Sequence, residues 1–77
     1  MAINQRFPRV TVPEGVIDIG PSAFYSLTSL VQITLPQSLI QIGRSAFFGC
    51  RNLRDLSLPR KLFSINRWAF SGCDSLE

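Results

Sequence analysis

The chain has 77 residues, 45% of them hydrophobic and 17% charged, with a net charge of +3 and no histidine. That composition suits one small globular domain and excludes a disordered segment, and it lacks the dense basic stripe of a nucleic-acid binder. No stretch approaches the about 18 apolar residues of a membrane span, and MAINQRFPRV has no apolar run of signal-peptide length, so nothing in the chain marks its compartment.

Met1–Arg9 comes first and reads as the tail of a repeat, because Phe7 falls in a column that returns at Leu30, Leu53 and Leu76. Three units follow: Val10–Gln32 (VTVPEGVIDIGPSAFYSLTSLVQ), Ile33–Asp55 (ITLPQSLIQIGRSAFFGCRNLRD) and Leu56–Glu77 (LSLPRKLFSINRWAFSGCDSLE). They align without a gap at a period of 23 residues. The columns Pro13/Pro36/Pro59, Ile19/Ile42/Ile65, Ala23/Ala46/Ala69 and Phe24/Phe47/Phe70 are identical. Self-similarity at a fixed short period is the signature of a solenoid, in which each unit buries its apolar side only against its neighbours.

The middle unit shows what each part is expected to do. Ile33-Thr34-Leu35 alternates apolar and polar, which predicts a short strand with one buried face. Pro36 has no N–H to give to a ladder and ends it. Leu39-Ile40-Gln41-Ile42 predicts a second strand. Gly43 then marks a left-handed turn, with Gly20 and Asn66 in the same column. Arg44–Cys50 fits one or two helical turns closed by Gly49. Stacking the units puts like on like, so Phe24/Phe47/Phe70, Ile19/Ile42/Ile65 and Leu27/Cys50/Cys73 form three ladders through the core.

Leu30–Leu35 and Leu53–Leu58 both carry L-x-x-I/L-x-L, continued by P-x-x-L-x-x-I-x-x-x-A-F-x-x-C-x-x-L. From Phe7 to Leu76 the chain resembles the BspA-like leucine-rich repeat, with the Pro, the Ala-Phe pair and the Gly-Cys pair in that family's places. The first unit departs from it, with Ser26-Leu27 for Gly-Cys, Leu27 serving as a buried filler. The expected fold class is therefore an α/β repeat: a short right-handed leucine-rich-repeat solenoid with parallel short strands stacked about 4.8 Å apart and one short helical turn per repeat. Residues 1–77 form one domain, with 1–9 a partial repeat and 10–32, 33–55 and 56–77 the full ones. The resemblance implies surface-exposed repeats used in adhesion to host or matrix proteins, in a parent protein at the cell surface or secreted.

No residue set favours catalysis. There is no base for a nucleophile, no glycine-rich phosphate loop, and Glu14, Asp18, Asp55, Asp74 and Glu77 form no pair at useful spacing. Cys50 and Cys73 lie one unit apart. Two cysteines without histidine leave a metal ligand set incomplete; buried free thiols are the favoured reading, with a disulfide geometrically open. No catalytic, metal or cofactor site is expected, and the chain reads as a non-enzyme. The cations Arg44, Arg51, Arg54, Arg60, Lys61 and Arg67 cluster in the second half, and Arg44 and Arg67 share a column. A solvated surface is the simpler reading, and nucleic acid is disfavoured because the aromatics that would stack on bases belong to the core.

Two surfaces remain as candidates. Arg9, Thr11, Gln32, Thr34, Asp55 and Ser57 form the outward row of the first strands, a face suited to a protein partner. Ile17, Ile40, Phe63, Phe48 and Trp68 are apolar where the repeat does not require it, which suggests a self-association strip. Neither end carries a distinctive polar cap, so the chain is expected to be a piece of a longer array or a homo-oligomer joined through uncapped ends. The functional expectation is a protein-binding, adhesion-type repeat module. The alternative is a structural self-assembling unit, natural or engineered.

Overall fold

In the computed structural model, which describes residues 8–76, the 23-residue period becomes a stack of coils. Met1–Phe7 lie outside the described residues, and with them the expected place of Phe7 in the Leu30 column. Six strands follow in chain order: β1 Arg9–Thr11, β2 Asp18–Ile19, β3 Gln32–Thr34, β4 Gln41–Ile42, β5 Asp55–Leu56 and β6 Ser64–Ile65. They form two parallel three-stranded sheets, ordered β1-β3-β5 and β2-β4-β6. The register is the sequence alignment made physical. Arg9 pairs with Gln32 and Gln32 with Asp55, while Ile19 pairs with Ile42 and Ile42 with Ile65.

The second strand of each coil is shorter than its apolar run suggests. Only Gln41–Ile42 pairs as β4, because the amides of Ile40 and Gln41 both donate to the Ile17 carbonyl. The expected helical turn is also replaced: no helix occurs among the described residues. Its place is taken by successive four-residue turns. In the middle coil the amides of Ala46, Phe48, Cys50 and Leu53 donate to the carbonyls of Gly43, Ser45, Phe47 and Cys50. The residues between them donate instead to the next coil, Ser45 to Arg67, Phe47 to Ala69 and Gly49 to Ser71. Alternate amides thus close the coil and tie it to its neighbour. A helix would direct all of them along its own axis and leave the stack unbonded here.

The left-handed positions are not the expected ones. Ser22, Ser45 and Trp68 have φ of 59°, 57° and 63°, and Ser26, Gly49 and Gly72 have 57°, 76° and 80°. Each lies third in one of these turns, where a type II geometry requires positive φ. Gly43 serves a different need. A Cβ there would meet the backbone of the previous coil at 2.7–2.8 Å, against Pro21, Gly20 and Ile19, so glycine lets two coils approach. Asn66, in the same column, gives its side-chain amide to the Ile42 carbonyl at 3.0 Å.

The core is the set of stacked columns. Leu30, Ile33, Leu39, Ile42, Ala46, Phe47, Cys50 and Leu53 are all buried. The Phe47 ring stacks on Phe24 at 5.2 Å and on Phe70 at 5.3 Å, nearly parallel to both. Burial falls away from the middle coil: Ile42 is fully buried, while Ile65 in the same column is 46% exposed. Leu27, expected as a buried filler, is instead at 36% exposure.

Candidate binding surfaces

The β1-β3-β5 sheet turns one side of each strand to the core and the other outward, as alternation requires. Val10, Ile33 and Leu56 go inward as partly or fully buried members of the core cluster. Arg9, Thr11, Thr34, Asp55 and Ser57 are exposed and Gln32 is half-buried. The pairing brings Arg9, Gln32 and Asp55 into one column and Thr11 and Thr34 into the next. Ser57 continues the second column by period but lies just beyond β5. Gln32, Thr34, Asp55 and Ser57 line a depression of about 240 Å³, shallow and without an ionic cluster. Its small hydroxyl column can seat a broad surface, and it places no nucleophile beside a base.

The apolar strip is present but falls into separate columns. Ile17, Ile40 and Phe63 are exposed directly ahead of β2, β4 and β6, and Phe63 is 90% exposed. Phe48 is half-buried, and its ring stacks on Tyr25 at 5.1 Å, a pair of the turn segment. Trp68 stands apart again: it occupies the left-handed turn position filled by serine in the other coils, 57% exposed, with the Arg67 guanidinium 5.4 Å from its ring centre. An L-residue in that region costs roughly 1–2 kcal/mol, so this ring is held there against its backbone preference.

A family model described as BspA type leucine rich repeat region (6 copies) matches residues 3–77. The chain belongs to the BspA-type leucine-rich repeat family. It is also similar to a solved structure, that of a T. pallidum leucine-rich repeat protein (TpLRR), with a TM-score of 0.86 and 36% identity over 90% of this chain. The chain spans only 35% of that protein's length. No curated protein matches it.

In this BspA-type chain the Gly-Cys pair is architecture. Gly49 and Gly72 supply the positive φ, and the thiols that follow point inward. Cys50 Sγ donates to the Phe24 carbonyl at 3.0 Å and Cys73 Sγ to the Phe47 carbonyl at 3.1 Å, each reaching back one coil. Both are free thiols. Burial pushes both up from the ordinary thiol value, which is the opposite of an activated nucleophile. Among the described residues no three His, Cys, Asp or Glu side chains gather as a metal site, and no helix is long and apolar enough to cross a membrane.

Sequence reasoning missed one surface feature. Asp18, Gln41, Gly43, Arg44, Asn66 and Arg67 line a groove of about 350 Å³ beside the β2-β4-β6 sheet. The shared column of Arg44 and Arg67 was its visible signal. Arg44 and Arg67 sit second in the turns Gly43–Ala46 and Asn66–Ala69, as Pro21 does in Gly20–Ala23, and the expected helix would point these side chains elsewhere.

Proposed function

We propose that this chain is a non-enzymatic, adhesion-type protein-binding module, part of a longer right-handed surface array, that docks its partner on the exposed face of β1-β3-β5. The observation that carries this is the register: pairing puts Arg9, Gln32 and Asp55 in one column and Thr11 and Thr34 in the next, with Ser57 one period further along the second. Hydroxyl side chains in the central column leave backbone and small polar groups within reach of a flat partner, and the mixed charges beside them set orientation. A host or matrix protein is the class of partner proposed. Thr34→Arg tests it. The side chain at 34 is exposed, so the fold tolerates a long cation there, while a partner seated on the row meets a steric and charge obstacle. Loss of binding with an unchanged melting curve supports the assignment; unchanged affinity refutes it.

A second reading rests on Phe63. A phenylalanine 90% exposed beside Ile40, over a depression of about 430 Å³ lined by Leu58, Pro59, Leu62 and Ile65, is an apolar surface of the kind that copies of a chain cover in each other. It supports the structural, self-assembling alternative. Light scattering at high concentration decides it: this reading requires an oligomer that Phe63→Ser dissolves, and a sharp monomer mass for the unmodified chain removes it.

A further inference from the structure

The groove beside β2-β4-β6 has no place in either reading, and its chemistry is specific. Arg44 and Arg67 stand one coil apart, about 4.8 Å along the stack, and both line it. None of the side-chain hydrogen bonds among the described residues involves either guanidinium. Arg67 is seated by the Trp68 ring. The amides beside them are oriented the other way. Gln41 Nε2 donates to Asp18 Oδ1 at 3.3 Å and Asn66 Nδ2 to the Ile42 carbonyl at 3.0 Å. Each amide thereby keeps its carbonyl oxygen as an acceptor. The groove lining thus combines acceptors at Asp18, Gln41 and Asn66 with cations at Arg44 and Arg67.

A ligand that satisfies both sets of groups carries oxyanions and many hydroxyl donors on one short scaffold. We propose that this groove binds an acidic carbohydrate, with carboxylate or sulfate groups held by Arg44 and Arg67 and hydroxyls donating to Asp18, Gln41 and Asn66. Guanidinium forks match both oxyanions in plane and charge. Nucleic acid fits less well. The groove lining contains no aromatic residue, and Phe24, Phe47 and Phe70 are spent in the core stack. An acidic peptide also brings carboxylates and backbone N–H donors, which makes poly-glutamate the competing ligand in the test.

The test titrates the full chain with a heparin oligosaccharide (sulfated), an oligogalacturonate (carboxylated), dextran (neutral), a DNA duplex and poly-glutamate. Two charge-matched double variants accompany it, Arg44→Gln/Arg67→Gln in the groove and Arg51→Gln/Arg60→Gln at exposed positions outside it. Melting curves confirm that both variants fold. At least one acidic glycan binds and dextran does not; binding of the oligogalacturonate shows that carboxylate suffices, and binding of heparin alone shows that sulfate is needed. The groove variant weakens binding by at least about tenfold, the scale of losing charged hydrogen bonds, and the outside variant by less than about threefold. Equal losses in the two variants would reduce the effect to net charge and overturn the proposal. So would no glycan binding in the millimolar range, or tighter binding of DNA or poly-glutamate through Arg44 and Arg67.

Discussion

Phe47→Ala removes the middle ring of a three-ring stack. Phe47 is fully buried, with Phe24 at 5.2 Å and Phe70 at 5.3 Å. Truncating a buried phenylalanine costs about 3–5 kcal/mol, cavity included, and part of that is the two ring pairs, each worth roughly 0.5–1.5 kcal/mol beyond area. Phe24 and Phe70 are half-buried, with one described ring partner each, so Phe24→Ala and Phe70→Ala lose about half as much. A chain of 77 residues has a total stability of about 4–12 kcal/mol, so the middle truncation removes a large share of it. Urea denaturation followed by circular dichroism reads the difference as a shift in midpoint at constant slope. The middle variant is expected to lose clearly more than either flanking one. Three equal losses, or a loss below about 1.5 kcal/mol for Phe47→Ala, would show that stacking of coils does not carry the core.

Two further perturbations test the coil contacts. Gly43→Ala places a Cβ 2.7–2.8 Å from backbone atoms of the previous coil, so the coils must part; a loss of about 1–3 kcal/mol is expected in the same urea assay, whereas Gly20→Ala, with nothing within 4 Å, changes stability by less than about 1 kcal/mol. The inward-pointing thiols, Cys50 buried and Cys73 half-buried, predict a pH effect. Burial raises the values of Cys50 and Cys73, so the folded state holds protons that the unfolded chain releases first. Their contribution is fully present below the ordinary thiol value of 9.0 and is lost as pH rises through the raised folded values. The urea midpoint therefore falls on the alkaline side of that value, and Cys50→Ala/Cys73→Ala flattens that fall. An identical alkaline slope in the double variant would contradict it.

The stack was legible in the sequence because repetition states register directly. Pro36, Ile42, Phe47 and Leu53 recur every 23 residues, and a parallel ladder pairs residues one period apart. The turn segment was not legible. RSAFFGC has the length of one or two helical turns and a closing glycine, Gly49, which suggests a helix, although only Arg44 and Ala46 are strong helix formers. What overrides it is tertiary: alternate amides from Ser45 to Gly49 are claimed by the next coil, and no single coil reveals that demand. The same error hid the left-handed column. Glycine drew attention to positions 20 and 43, yet positive φ sits at Ser22, Ser45 and Trp68, where only Pro21, the preferred residue at the second position of a type II turn, gave a clue. The surface rows were readable by alternation, since Thr11 and Thr34 must face opposite to Val10 and Ile33. The groove was not, because its residues come from a strand and from the turn beyond it.

The β1-β3-β5 row is the proposed protein-docking face. Its most direct test is amide hydrogen exchange on this chain, free and bound to whichever member of a panel of purified matrix proteins captures it. Slowed exchange confined to Arg9–Thr11, Gln32–Thr34 and Asp55–Ser57 is the predicted footprint, absent in Thr34→Arg. Protection centred instead on Ile40 and Phe63, with the row unchanged, would contradict it.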